Sequence, residues 1–177
     1  MGINVKGSGG SIRFFGGGGS LRVVDGGGGG GGPGSPESPI VLPVDATRVG
    51  VEVDSGVRGV WREGERGESP YYARYGTFVC PGIPPGGSLR IRWGVAVDGG
   101  PEVDTYASLF AGSSFSLPGA VELASDDDSG SGSYTVWPNT EILVSSPTVV
   151  PGDPYVLELT TFSTGVTGSL SVAIDVV

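Results

Sequence analysis

Residues 89–97 have the sequence Leu89-Arg90-Ile91-Arg92-Trp93-Gly94-Val95-Ala96-Val97. Large apolar residues occupy every second position, and an arginine or a small residue lies between them. Because successive side chains of a strand point to opposite faces of the sheet, this alternation predicts a strand with one buried face. The preceding Pro84-Pro85-Gly86-Gly87 is typical of a turn. We therefore expect a protein built from half-buried β-strands.

Similar runs recur along the chain, and no window has apolar residues at helical spacing for three turns. The runs predict strands over residues 49–53, 57–61, 103–110, 115–123, 133–137, 141–150, 155–159 and 169–177. Asp54-Ser55-Gly56 would join the first two strands as a hairpin, and the charged segment 63–68 is expected to be an exposed loop. Short strands at this spacing predict an all-β fold, a two-sheet antiparallel β-sandwich or jelly roll.

The charge of the chain is acidic and unevenly distributed. The net charge is −9, yet residues 1–34 carry three basic residues against one acidic residue. After Arg92 there are eleven acidic residues and no basic one. Phosphate would be repelled by such a surface, so nucleic acid is not an expected partner. No apolar run approaches the ~20 residues that a membrane span needs, so a membrane is not expected either.

The residue types needed for common catalytic sites are missing. The chain has no histidine, which excludes Ser-His-Asp and Cys-His nucleophiles. Its one cysteine, Cys80, is expected to be a small buried residue of a strand. The glycines of residues 26–34 match a dinucleotide-binding spacing, but Pro33 and Pro36 prevent the helix that must follow. We expect a protein that is not an enzyme and has no organic cofactor.

Residues 1–43 are predicted to be a glycine-rich arm and linker, and residues 44–177 the sandwich domain. Two units of the arm, beginning at Gly9 and Gly18, repeat a Gly-Gly-Ser turn followed by a short apolar strand. Glycine loses about 1–2 kcal/mol of backbone freedom per residue on ordering, so an isolated arm is expected to be a flexible linker. Alternatively, a neighbouring subunit supplies the contacts and receives the arm as added strands. The predicted contact residues are Ile12, Phe14, Phe15, Leu21 and Val23.

Acidic side chains concentrate in the turn Ser125-Asp126-Asp127-Asp128-Ser129. Calcium prefers six to eight hard oxygen ligands with tolerant geometry. Asp126, Asp127, Asp128 and Asp104 are therefore the candidate ligands of a Ca²⁺ ion. The alternative is a solvated turn whose side chains bond to local backbone amides.

Three tyrosines and an arginine cluster at Tyr71, Tyr72, Arg74 and Tyr75. Such a cluster is a candidate surface patch for a glycan or a protein. The alternative is structural, since tyrosines at a strand edge commonly cover the core.

The second half of the chain resembles the bacterial pre-peptidase C-terminal domains, which are β-sandwich modules appended to secreted proteases. The matching motifs are the strand after Pro-Gly-Gly, Asp104-Thr105-Tyr106, Glu122 to Gly130, and Pro151-Gly152-Asp153-Pro154-Tyr155. The resemblance covers about residues 75–177. It implies the sandwich fold and, because the family includes calcium-binding members, it is consistent with calcium at the acidic turn.

These observations predict a structural protein of a virus particle, such as a capsid decoration, head-fibre or tail component of a tailed bacteriophage. Its expected partners are other copies of itself and neighbouring virion proteins, which it would meet through the arm. Its expected location is the virion. The alternative is an extracellular adhesion or carbohydrate-binding module, or a filament subunit, at the cell surface.

Overall fold

The computed structural model describes residues 4–7, 10–14, 21–24, 33–116 and 119–177. They form twelve strands and one helix. The strands are β1 (Asn4–Gly7), β2 (Gly10–Phe14), β3 (Leu21–Val24), β4 (Ile40–Val41), β5 (Val49–Val53), β6 (Ala73–Val79), β7 (Leu89–Val95), β8 (Thr105–Ala111), β9 (Glu122–Asp126), β10 (Thr140–Val144), β11 (Pro154–Thr161) and β12 (Gly168–Val176). The helix is α1 (Val60–Arg66).

The strands form two sheets that pack as a sandwich, which confirms the predicted all-β fold. The first sheet has the order β1-β2-β3-β5-β12-β7-β10, and the second has the order β4-β6-β11-β8-β9. Neighbouring strands are antiparallel except for the pairs β3–β5 and β4–β6, which are parallel. The outer strands are β1 and β10 in the first sheet, and β4 and β9 in the second.

The main core lies between the two sheets. The alternating residues of 89–97 behave as predicted in β7, where Leu89, Ile91 and Trp93 are buried. The indole N–H of Trp93 donates to the carbonyl of Thr160 across the sandwich at 2.9 Å, so its one polar atom is satisfied. Cys80 is buried as predicted, but it lies directly after β6 instead of within a strand.

Helix α1 covers the outer face of the second sheet and replaces a predicted hairpin. The prediction of a strand over residues 57–61 and of a loop over 63–68 is wrong, because α1 begins at Val60 and ends at Arg66. Gly67 ends the helix in the left-handed conformation at φ 67°, and its N–H donates to the carbonyl of Glu63. Beneath α1 lies a second apolar cluster, which contains Ala73, Tyr75, Phe110, Phe115 and Val156.

Three further strand predictions need correction. The strand expected over 115–123 begins only at Glu122, and the one expected over 141–150 ends at Val144. Residues 133–137 form a loop with a single bridge instead of a strand. The chain folds back there, since the N–H groups of Gly130 and Gly132 donate to the carbonyls of Asn139 and Pro138.

The sandwich also begins earlier than expected. Ile40 and Val41 of β4 pair with β6, and Leu42 is buried in the main core. The segment 40–43 was assigned to the arm by composition, but the structure places it in the body of the protein. Among the described residues, no helix has the length and apolar character that crossing a membrane requires.

Candidate functional site

The strands of the arm extend the first sheet beyond the sandwich. β1, β2 and β3 form an antiparallel meander, and β3 then pairs in parallel with β5. Within the body, the strand that pairs with β3 is β5. Of the predicted contact residues, Ile12 and Phe14 lie in β2, and Leu21 and Val23 lie in β3. Phe15 lies outside the described residues.

The register of these strands aligns apolar positions of the arm with buried positions of β5. Residues that face each other on neighbouring strands share one face of the sheet. One row consists of Val5, Ile12, Val23 and Val51, and another consists of Phe14, Leu21 and Val49. Val49 and Val51 are buried in the main core. The apolar positions of the arm are therefore in register with the buried positions of β5.

The opposite edge of the first sheet is closed by the acidic turn. Strand β10 lies at this edge, and its Glu141 directs both backbone groups away from β7. A carboxylate oxygen of Asp126 accepts from the N–H of Glu141 at 2.8 Å, and the hydroxyl of Ser129 donates to its carbonyl at 2.7 Å. The N–H of Gly130 donates to the carbonyl of Asn139. The turn thus occupies positions that an added strand would need.

The three aspartates of this turn also bond to backbone or side-chain donors nearby. Asp127 accepts from the N–H of Asp128 at 2.9 Å, and Asp128 accepts from the amide of Asn139 at 3.1 Å. Asp104 lies close enough to interact electrostatically with Asp127 and Asp128. Burial, and then repulsion from those two carboxylates, raises the pKa of Asp104 to about 6.

These contacts match the solvated-turn alternative in detail, while the proposed calcium site stays a prediction. In the parts of the chain that the structure describes, no three acidic, cysteine or histidine side chains are grouped closely enough to hold a metal ion. One carboxylate oxygen of Asp104 is buried without a hydrogen-bond partner.

The tyrosine–arginine cluster is not a surface patch. Tyr71, Arg74 and Tyr75 are buried, and Tyr72 is half-buried and packs against the main core. Arg74 forms an ion pair of 2.8 Å with Asp54, and its side chain is 5% exposed. The prediction that these four residues form an exposed contact surface is wrong, because three of them are buried and Tyr72 is half-buried.

Tyr75 belongs to a buried polar network that fixes α1 to the sheet. Its single hydroxyl proton has two acceptors within hydrogen-bond distance, a carboxylate oxygen of Glu158 and, at 3.1 Å, the carbonyl of Arg58. The same carboxylate accepts from the N–H groups of Trp61 and Arg62, at 3.0 and 2.9 Å. Glu158 therefore satisfies backbone donors in the first turn of α1, as a capping residue does.

Burial controls the ionisation of this network. Glu158 is 1% exposed, and the loss of hydration raises its pKa to about 7, although its hydrogen bonds act in the opposite direction. The pKa of Tyr75 is raised as well, first by burial and then by the nearby charge of Glu158. The phenol is therefore neutral: its oxygen accepts from the N–H of Val60, and its one proton is available to Glu158 or Arg58.

Arg62 is the second buried charge beneath α1. Its guanidinium carbon lies 3.7 Å from the ring centroid of Tyr106 and 4.9 Å from that of Phe162. It pairs with Glu65 at 3.1 Å, while its Nε and Nη2 atoms are buried without protein partners. The arginine holds the helix against the sheet by stacking on aromatic rings.

Sequence reasoning missed Glu158 and Arg62. Glu158 lies in an alternating strand, where its position indicates a solvent-facing side, and Arg62 lies in a segment that resembles a hydrophilic loop. A signal was present in the strand itself, because Tyr155-Val156-Leu157-Glu158-Leu159 has an apolar residue on both faces. A strand of that kind is covered on both sides.

Comparison with protein-family models, with curated proteins and with solved structures finds no match to this chain. The resemblance to pre-peptidase C-terminal domains therefore stays a prediction, and the fold is established from the structure itself.

Proposed function

We propose that the protein is a non-enzymatic structural protein of a virus particle, a capsid decoration, head-fibre or tail component of a tailed bacteriophage. It docks to neighbouring subunits through its N-terminal arm. The observation that supports this proposal is the arrangement of β1–β3, which form strands and join the body along one edge, at β5. Strand addition at a sheet edge is a common mode of protein docking.

The body is suited to be a folded domain that the arm attaches to neighbouring subunits. Among the residues whose side chains the structure describes, the members of both apolar clusters lie between Ile40 and Val176, so the body contains an extensive core of its own. The edge at β10 is occupied by the acidic turn. Docking by strand addition is thereby directed to the arm side of the sheet.

The alternative function, a glycan-binding module, loses the residues on which it depended. Tyr71, Arg74 and Tyr75 are buried and engaged in contacts within the protein. A glycan could not stack on these rings without displacement of α1. We therefore favour the structural role.

The test is the incorporation of tagged protein into particles. The full chain and a form with residues 1–32 deleted would be produced during infection by the virus that encodes the chain, and purified particles would be probed for the tag. The deletion keeps Gly34, whose carbonyl accepts from the N–H of Tyr75 at 2.8 Å. We expect the full chain in the particles and the deleted form outside them. Incorporation of both forms, or of neither, would refute the proposal.

A further inference from the structure

We propose that the place of β3 beside β5 is exchanged between copies of this chain, so that the arm of one copy adds to β5 of a second copy. This inference rests on the proposed function and names the partner of the arm as another molecule of the same protein. The structure describes the arm on its own body. An identical body offers the same edge, which is the condition for exchange of an element between protomers.

The first support is the fit between β3 and β5. Leu21, Arg22 and Val23 face Val49, Gly50 and Val51 in a parallel register. The two apolar positions of β5 in this pair face the core, where Val49 is 1% and Val51 2% exposed. The acceptor edge is therefore specific for a strand with the alternation of β3, and every copy of the chain carries that strand.

The second support is the connection between the arm and the body. Residues 25–32 separate Val24 of β3 from the body, and seven of these eight residues are glycine. Eight residues span at most about 27 Å when extended, which is comparable to the width of several strands. A connection of that length is long enough for β3 of one copy to lie beside β5 of an adjacent copy.

The third support is charge. Residues 1–32 carry three basic residues and one acidic residue, whereas the remainder carries seven basic and eighteen acidic residues. Two acidic bodies repel each other, while the basic arm of one copy is attracted to the body of the next. Contacts between copies are therefore favoured through the arm and disfavoured between the bodies.

The fourth support is that the other edges give little room for a strand. The first half of β10 is occupied by the acidic turn, and β4 has only two residues, followed by Leu42 and Pro43. β9 ends in the acidic turn that bonds to β10. In the described part of the chain, β1 is the outer strand on the arm side, and β5 becomes an extended edge when the arm leaves its own body.

The test uses cysteines placed on the two sides of the β3–β5 pair. One variant carries Arg22→Cys and another carries Gly50→Cys, both in a Cys80→Ala background that removes the native thiol. The two variants are unfolded in urea, refolded as a mixture and oxidised, and disulfide-linked dimers are measured. A third variant carries both cysteines in one chain and reports the pairing within a copy. A mixture of Arg13→Cys with Gly50→Cys is the control, because β2 lies one strand farther away, beyond the reach of a disulfide.

We expect the mixture of Arg22→Cys and Gly50→Cys to give at least tenfold more mixed dimer than the control mixture. We also expect the double variant to give linked dimers and larger species whose share rises with protein concentration. The proposal is overturned if the double variant links only within one chain. It is equally overturned if neither the mixture nor the double variant links, because β3 would then not occupy the edge of β5.

Failure of this exchange can be distinguished from failure of the proposed function. If no links form between copies but deletion of residues 1–32 still excludes the chain from particles, the arm docks on a different protein. In that case the structural role stands and the exchange between copies is refuted.

Discussion

Glu158 places a titratable carboxyl group in a site where both faces of the sheet are covered. Its carboxylate bonds to Tyr75 and to two N–H groups of the first turn of α1. Removal of one partner from such a network leaves buried polar groups without hydrogen bonds, which costs about 1–3 kcal/mol for each group. The position of the helix on the sheet therefore depends on this one side chain.

The raised pKa of Glu158 predicts a specific pH dependence of stability. The folded protein binds the Glu158 proton with a pKa of about 7, whereas the ordinary value for glutamate is 4.5. The folded state consequently holds more protons than the unfolded state between these two values. The free energy of unfolding should fall by up to about 3 kcal/mol as the pH rises from 4.5 to 7.5.

The variant Glu158→Gln should have a shallower slope over the same range, measured by urea denaturation at several pH values. Part of the decrease in the free energy of unfolding with pH should remain in this variant, because the pKa of Asp104 is also raised, to about 6. Glu37→Gln is the matched control, since Glu37 is exposed, and it should keep the slope of the parent. An unchanged slope in Glu158→Gln would contradict the assignment of this proton.

Two glycines in the loop after the acidic turn are predicted to be irreplaceable for steric reasons. A Cβ atom added to Gly130 would collide with the carbonyl oxygen of Asn139, and one added to Gly132 with that of Val136. The obstacles are backbone atoms, which cannot rotate away. We expect Gly130→Ala and Gly132→Ala each to lower the free energy of unfolding by about 2 kcal/mol or more.

The matched control for these glycines is Gly64→Ala in α1. No atom lies within 4 Å of a Cβ added there. Alanine is favoured over glycine in a helix by about 1 kcal/mol, so this variant should be as stable as the parent or more stable. Thermal unfolding of the three variants measures both effects. A neutral result for Gly130→Ala or Gly132→Ala would mean that the loop does not approach residues 136–139 closely.

The acidic turn acts at the level of β10 as a whole, because it replaces a neighbouring strand. Asp126→Ala removes the acceptor for the N–H groups of Ser129 and Glu141. We expect a loss of about 1–2 kcal/mol in the free energy of unfolding. We also expect faster hydrogen exchange at Glu141 and a greater tendency to aggregate through the opened edge. Asp153→Ala is the control, since that aspartate is exposed and lies outside the turn. Equal behaviour of the two variants would contradict the edge-closing role.

Helix α1 illustrates what sequence patterns alone could not supply. Its seven residues make only two turns and include Gly64, so neither periodicity nor propensity indicates a helix. Its stability comes from tertiary contacts, namely the carboxylate of Glu158, the stacking of Arg62 on Tyr106, and the packing of Trp61 on Phe110. These contacts join residues that are far apart in the chain, and local sequence does not record them.

The all-β architecture was predictable because it depends on alternation, which is a local property. Strands β7 and β12 show this plainly, since Leu89, Ile91, Leu170 and Val172 alternate in sequence and are all buried. The candidate site was less predictable. The sequence indicated strands in the arm, but it could not indicate that β3 would lie in parallel beside β5. Parallel pairing of distant segments depends on the whole fold, and no local pattern encodes it.

The role of the arm as the assembly element can be tested by sedimentation. The mass of the full chain and of a chain lacking residues 1–32 would be measured over a range of protein concentrations. The two proteins would first be compared by thermal unfolding to establish that the body remains folded. We predict that the full chain forms species larger than a monomer as its concentration rises, and that the truncated chain stays a monomer. Equal association of the two chains would contradict assembly through the arm, and a full chain that stays a monomer at every concentration would contradict the exchange of the arm between copies.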